Sequence, residues 1–178
     1  MTDFKTKDEL LTALRETNEK VANWFESISA RNFFARQEET WSASDNLDHL
    51  VRSHNPVIKA LQLPRIVLQK MFGRPIREPM SYEALCAQYR HEIAKGAAAS
   101  GIYLPDQQSP GDPEAKKRES LEIWSSTSAG LVTQVEKWEE QKLDLYQLPH
   151  PILGNLTIRE ILYFTIYHNL RHASLDGD

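Results

Sequence analysis

His168 and His172 stand four residues apart near the end of the chain. On a helix, residues at i and i+4 lie one above the other on the same face. With Ile158 as reference and about 100° per residue, Ile161, Thr165, His168 and His172 share one narrow sector, the kind of stripe a helix turns toward a core. Two imidazoles so placed can reach one metal ion, as in zinc helices of the HExxH kind. Here Asn169, Leu170 and Arg171 lie between them, so the glutamate base of a metalloprotease is missing. The pair alone is a weak signal, because core-facing histidines more often hydrogen-bond to neighbouring helices than bind metal.

A metal site needs at least a third protein ligand. An earlier segment offers two, His49 and His54. Periodicity puts His54 on one stripe with Leu50 and Ile58. His49 falls nearly opposite Leu47 on an ideal wheel, away from that stripe, although a helix flanked by two neighbours can bury both faces. The wheel leaves both open. Three neutral imidazoles leave the full 2+ charge on an ion and keep coordination positions free, the catalytic rather than the structural pattern. Such an ion lowers the pKa of bound water toward about 7, or holds a thiolate. Zinc, nickel, iron and manganese all accept these ligands. Asp45, Asn46, Asp48 and Asn169 are the candidates for fixing the ring tautomers.

Other residues have plainer readings. Cys86, in Ala84-Leu-Cys-Ala-Gln, has no histidine or asparagine motif around it and reads as a buried small apolar residue. His91 reads as a solvated or capping histidine, and His150, between two prolines, as part of a rigid turn. Trp24, Trp41, Trp124 and Trp138 read as core and interhelix packing. Lys116-Lys-Arg118 is answered by Glu119 and Glu122 and reads as a solvated face.

Composition narrows the setting. A chain of 178 residues suits one ordinary domain. A single cysteine excludes an intramolecular disulfide and a Cys-rich zinc site. Twenty-one basic against 25 acidic residues give a net charge of −4, with no basic excess to neutralise phosphates, so nucleic acid is not an expected partner. Seven glycines and nine prolines supply little turn material for an all-β sandwich. The charged start at Met1 carries no signal-peptide core. The longest apolar run, over residues 161–167, is far short of the roughly 20 a membrane helix needs. A cytoplasmic protein without membrane contact is the default expectation.

The elements that must position the histidines follow from periodicity. Leu10, Leu14, Val21, Phe25 and Ile28 predict a helix over about 4–29. Ser42 and Asp45 predict a capped start to the second helix, which Pro56 and Pro64 should kink or break before Gly73 ends it. A shorter helix is expected over about 81–99, and a surface loop over 101–113. Leu121, Trp124, Ser128, Leu131, Val135 and Trp138 form the cleanest stripe in the chain. Residues 148–155 read as a turn-rich connection. Thr157 and Glu160 form a capping box that opens the last helix, which runs to about Ser174. No stretch alternates with period two. The sum is an all-α chain, an up-and-down type four-helix bundle with an additional shorter helix and a long crossover connection, as a single domain over 1–178.

Three segments together carry a family resemblance. Trp41-Ser-x-x-x-x-Leu-x-His49-Leu, then His150-Pro-Ile-Leu-Gly-Asn-Leu-Thr-Ile-Arg-Glu160, then Tyr167-His-x-x-x-His172 resemble the DinB-like (DinB/YfiT-type) four-helix-bundle family. The resemblance spans most of the chain around a variable middle, and the late segments are the more specific. It implies a divalent metal held by one histidine of the second helix and two of the last, here His49, His168 and His172, with His54 as a supporting residue. Zinc or nickel comes first for such a site, with iron or manganese next. It further implies a transferase that uses a low-molecular-weight thiol, such as bacillithiol or mycothiol, on small electrophiles. A metal-dependent hydrolase and a non-catalytic, stress-related metal-binding bundle are the alternatives. A small-molecule substrate and a homodimer are the implied partners. If thiol chemistry occurs, the thiol comes from a cofactor rather than from Cys86.

Overall fold

The computed structural model describes residues 4–36 and 40–175. The charged start at Met1–Asp3 lies outside the described residues. The chain is mostly helical. Helix α1 covers Lys7–Ser27, α2 Ala30–Phe33, α3 Ala43–Gln62, α4 Arg65–Phe72, α5 Tyr82–Ala94, α6 Pro113–Glu136 and α7 Ile158–His172. Short 3-10 turns occupy Gly101–Tyr103 and Glu140–Lys142, and strands β1 (Gln147–His150) and β2 (Gly154–Thr157) pair as one antiparallel hairpin.

Both expected helix starts form as local chemistry dictates. Ser42 caps α3, its hydroxyl accepting from the Asp45 N–H while the Asp45 carboxylate accepts from the Ser42 N–H. Thr157 and Glu160 repeat the arrangement at α7. The fully buried Glu160 carboxylate also accepts from Arg77 and from the Met80 N–H, which ties the segment before α5 to the start of α7. The helix expected over 81–99 is shorter. Gly96, with φ 95°, ends α5 in a Schellman-type turn in which the Ala97 N–H reaches the Glu92 carbonyl. Pro56 lies inside α3 without breaking it, and the break comes at Pro64. A proline removes one intrahelical bond, and the apolar packing of Val57, Ile58, Ala60 and Leu61 carries α3 past that loss.

The turn-rich connection is in fact the hairpin, with Leu148 opposite Leu156 and His150 opposite Gly154. A two-stranded ribbon leaves one edge of each strand unpaired, so Pro149 fits without a missing ladder bond. Gly154 supplies the positive φ, 73°, that the return requires.

Four long helices share two apolar clusters, and the order in which each meets them gives its direction. Helices α1 and α7 begin in the cluster with Leu10, Leu14, Ile158 and Ile161 and run toward that of Val21, Phe25 and Ala173. Helices α3 and α6 run the other way, from Leu47 and Trp124 toward Leu61 and Val135. Hydrogen bonds at the ends agree. Lys117, at the start of α6, binds carbonyls at the end of α1, while the Trp138 indole, just past the end of α6, reaches the Leu61 carbonyl at the end of α3. Consecutive long helices therefore do not alternate strictly. The crossover through α4, α5 and the loop after it returns α6 parallel to α3. At the changeover between clusters each long helix buries a polar residue: Asn18, His54, Ser128 and Asn169.

Candidate metal centre

His49, His168 and His172 meet where the first third of α3 faces the last turn of α7, each offering a ring nitrogen within 4.8 Å of the others. The Nε2 atoms of His49 and His168 lie 3.1 Å apart. Two nitrogens bound to one zinc ion at about 2.0–2.1 Å stand roughly 2.9 Å apart at a right angle and roughly 3.4 Å apart at the tetrahedral angle. The observed pair falls inside that range.

The tautomers follow from the partners. His49 Nδ1 lies 2.6 Å from the Tyr103 carbonyl, which can only accept, so Nδ1 carries the proton and Nε2 keeps a free lone pair. His172 Nδ1 lies 2.6 Å from the Asn46 side-chain oxygen. The Asn46 amide is oriented by its own NH2, which donates to the Ser42 carbonyl at 2.9 Å. His172 Nε2 is therefore the free nitrogen. This is the outer hydrogen bonding that metal-bound imidazoles typically show. Burial favours the neutral form of all three rings. It pushes His172 down to about 3, lowers His49 against the raising effect of the Tyr103 carbonyl, and carries His168 well below its usual value, with the neighbouring histidines adding to the effect. Neutral imidazoles, with the Nε2 of His49 and of His172 free and the Nε2 of His168 beside them, are a donor set that a divalent first-row metal takes, and the residues fit such an ion.

Aromatic rings wall the cluster. Trp41 packs on His49 at 4.9 Å and stacks over His172 at 5.9 Å, and Phe164 stacks on His168 at 4.7 Å. Trp41 is thus a wall of the site rather than ordinary helix packing. His54 stands apart from the cluster. Its Nδ1–H donates to the Leu50 carbonyl at 2.7 Å, and its Nε2 takes a long 3.4 Å bond from the Asn169 amide, which also donates to Asn18 at 3.3 Å. Burial lowers its pKa to about 4.

Of the tautomer-fixing candidates, Asn46 alone touches a clustered ring. Asp45 instead takes a two-point bond from Arg36 at 3.0 and 2.8 Å. Asp48 accepts from Arg52 and from the Asp106 N–H, both at 2.8 Å, and so pins to α3 the loop that carries the Tyr103 carbonyl. That carbonyl had no side-chain signature, and only its position at the end of a 3-10 turn makes it a partner. Cys86 is buried with its thiol pushed up to about 11 by desolvation, which suits the inert reading. Lys117 departs from the solvated-face reading. It is buried and donates to the Glu26 and Ile28 carbonyls at the end of α1, while Lys116 beside it pairs with Glu119 as expected. The short basic run splits because one helix face meets α1 and the other meets water.

A cavity of about 210 Å³ opens beside the cluster. His49 and His168 line it, along with apolar side chains such as Val57, Phe72, Ile161 and Phe164. Among the described residues no aspartate, glutamate, lysine, arginine or cysteine lines it.

A sequence profile of the DinB superfamily matches residues 13–175, nearly the whole of the described chain and all three clustered histidines. The chain belongs to the DinB superfamily. No curated protein matches this DinB-superfamily chain closely. Among the described residues no helix is long and apolar enough to cross a membrane.

Proposed function

We propose that this DinB-superfamily protein is a metal-dependent enzyme whose ion is held by His49, His168 and His172, and that it joins a low-molecular-weight thiol to a small electrophile: the thiolate forms a new C–S bond as the electrophile's leaving group departs, and the thiol proton passes to solvent. The observation that carries the reading is the convergence of three neutral imidazoles, with the Nε2 of His49 and of His172 kept free, beside an apolar cavity. A divalent ion there, zinc or nickel first, would acidify a bound thiol or water.

The chain's own groups do the remaining work. The Tyr103 carbonyl and the Asn46 amide keep protons on the far nitrogens of His49 and His172. Trp41 and Phe164 stack on the His172 and His168 rings, limit their rotation and screen them from bulk water. The apolar walls take the body of the electrophile. Among the described residues the cavity offers no carboxylate or lysine to draw a proton from water and no protein thiol, which favours a nucleophile that ionises readily and arrives from outside. The metal-dependent hydrolase remains the alternative, and predicts ester or amide cleavage without added thiol. In the same reading the four long helices form one four-helix bundle and one domain. A homodimer is carried by the family resemblance alone and is read by sedimentation.

The test is elemental analysis of protein loaded with zinc or nickel, beside His172→Ala, followed by loss of monochlorobimane with and without thiol. Stoichiometric metal in the wild type, its loss in the variant, and thiol-dependent turnover are expected. A wild-type protein that holds no metal under any loading condition overturns the reading. Metal with turnover that needs no thiol replaces transferase by hydrolase.

A further inference from the structure

His150 is a polar group at the cavity that the proposed chemistry leaves unused. It closes β1, and its Nδ1 accepts the backbone N–H of Ile152 at 3.2 Å and of Leu153 at 3.1 Å. A ring nitrogen that accepts carries no hydrogen, so the proton of the neutral imidazole sits on Nε2. Burial holds the ring neutral, with its pKa pushed down to about 4, so one tautomer persists around neutral pH. No acceptor for that Nε2–H is found among the described residues, yet His150 lines the same cavity as His168. Phe164 packs against both rings, with centroids at 4.2 Å from His150 and 4.7 Å from His168.

Of the other polar side chains around the cavity, Ser53, His54, Thr165 and Asn169 use their hydrogens internally, while the Ser100 hydroxyl is free to rotate. Ser53 donates to the His49 carbonyl and Thr165 to the Ile161 carbonyl, each at 2.8 Å. His54 donates to Leu50, and the Asn169 amide to His54 and Asn18. The hydroxyls of Tyr89 and Tyr103 can rotate, whereas the direction of the His150 donor is set by the two backbone bonds on the opposite nitrogen. A fixed N–H on a residue that lines an apolar space is the kind of polar group that orients a ligand.

We infer that the His150 Nε2–H binds the carbonyl oxygen of a neutral, largely apolar ligand in this cavity, which makes His150 a substrate-binding residue. A neutral acceptor is matched better than a carboxylate or phosphate, because the metal-free cavity has no lysine or arginine among its described lining residues to balance an anion. That the ligand is the electrophile joined to a thiol rests on the function proposed above. The binding itself does not.

Two substitutions separate the donor from the turn. Asparagine places its side-chain oxygen where Nδ1 stands, the same number of bonds from Cα, and so keeps both turn bonds while its NH2 stops one bond short of the Nε2 position. Glutamine reaches the Nε2 position with an N–H and forfeits the turn acceptor. The probe is acetophenone, an unreactive ketone, bound to metal-free protein and read by the infrared carbonyl stretch, with thermal unfolding of each variant alongside. The wild type should shift the bound carbonyl band to lower wavenumber than an alkane solvent does. His150→Asn should remove the shift and weaken binding by up to about tenfold. His150→Gln should retain the shift with a lower melting temperature. A purely structural His150 predicts the reverse pattern, with asparagine rescuing and glutamine failing. The inference is overturned if acetophenone does not bind saturably, if the wild-type band is unshifted, if the shift survives His150→Asn, or if Tyr89→Phe or Tyr103→Phe removes it instead. The metal content of the same preparations is measured separately. Its absence defeats the proposed enzyme and leaves the ketone result standing.

Discussion

Asn46→Ala tests the tautomer argument at its most exposed point. The Asn46 oxygen lies 2.6 Å from His172 Nδ1, and the amide is held by the Ser42 carbonyl. In the metal-free protein this neutral hydrogen bond contributes about 0.5–1.5 kcal/mol. With an ion on Nε2 the Nδ1–H becomes a stronger donor, and loss of such an outer partner typically lowers metal affinity by about 10–100-fold, or about 1.4–2.8 kcal/mol. The variant should therefore bind zinc or nickel with the wild-type stoichiometry but 10- to 100-fold more weakly. Competition against a chromophoric chelator at fixed pH reads this directly. Thr133→Ala, which removes an exposed hydroxyl bonded to its own helix, serves as the control and should leave affinity unchanged. If Asn46→Ala binds metal like the wild type while His172→Ala does not bind, the Asn46 oxygen does not orient His172 and the tautomer reasoning fails.

Stability should fall as pH drops from about 6.5 toward 4. Burial puts His54 and His150 at about 4 and His172 at about 3, so the unfolded chain takes up protons that the folded one refuses. The slope is up to about 1.4 kcal/mol per pH unit for each such histidine, and urea midpoints at pH 7, 6 and 5 that do not fall would contradict it. Glu160→Ala removes a fully buried carboxylate, leaves Arg77 and the Met80 and Thr157 N–H groups without their acceptor, and should cost about 3 kcal/mol by chemical denaturation. Lys117→Ala removes the two bonds to the end of α1 and should cost about 2 kcal/mol. Lys116→Ala should stay within about 0.5 kcal/mol, and equal effects at the two lysines would return both to the solvated face.

What was legible in the chain was local or periodic. Ser42 with Asp45, and Thr157 with Glu160, announce helix starts because each box closes within one turn. His168 and His172 announce a shared face for the same reason. His49 was harder, because a wheel with one buried stripe cannot describe α3, which buries His49, Leu50 and His54 against more than one neighbour. The hairpin escaped notice because a four-residue strand containing Pro149 shows no alternation, and its pairing exists only once the return at Gly154 is made. Lys117 looked solvated because its partners are main-chain carbonyls distant in sequence. The direction of α6 relative to α3 depends on a crossover whose path no local pattern encodes.

The partner that holds His49 in register is a main-chain oxygen, that of Tyr103, and this has a consequence for how the site can change. No side-chain replacement at residue 103 removes a carbonyl, so the acceptor survives drift in the sequence of that loop. Only movement of the chain can take it away. The stretch from Ala98 to Tyr103 is also one wall of the cavity. Whatever presses on that wall presses on the His49 ring, and loop and imidazole move as a single mechanical unit.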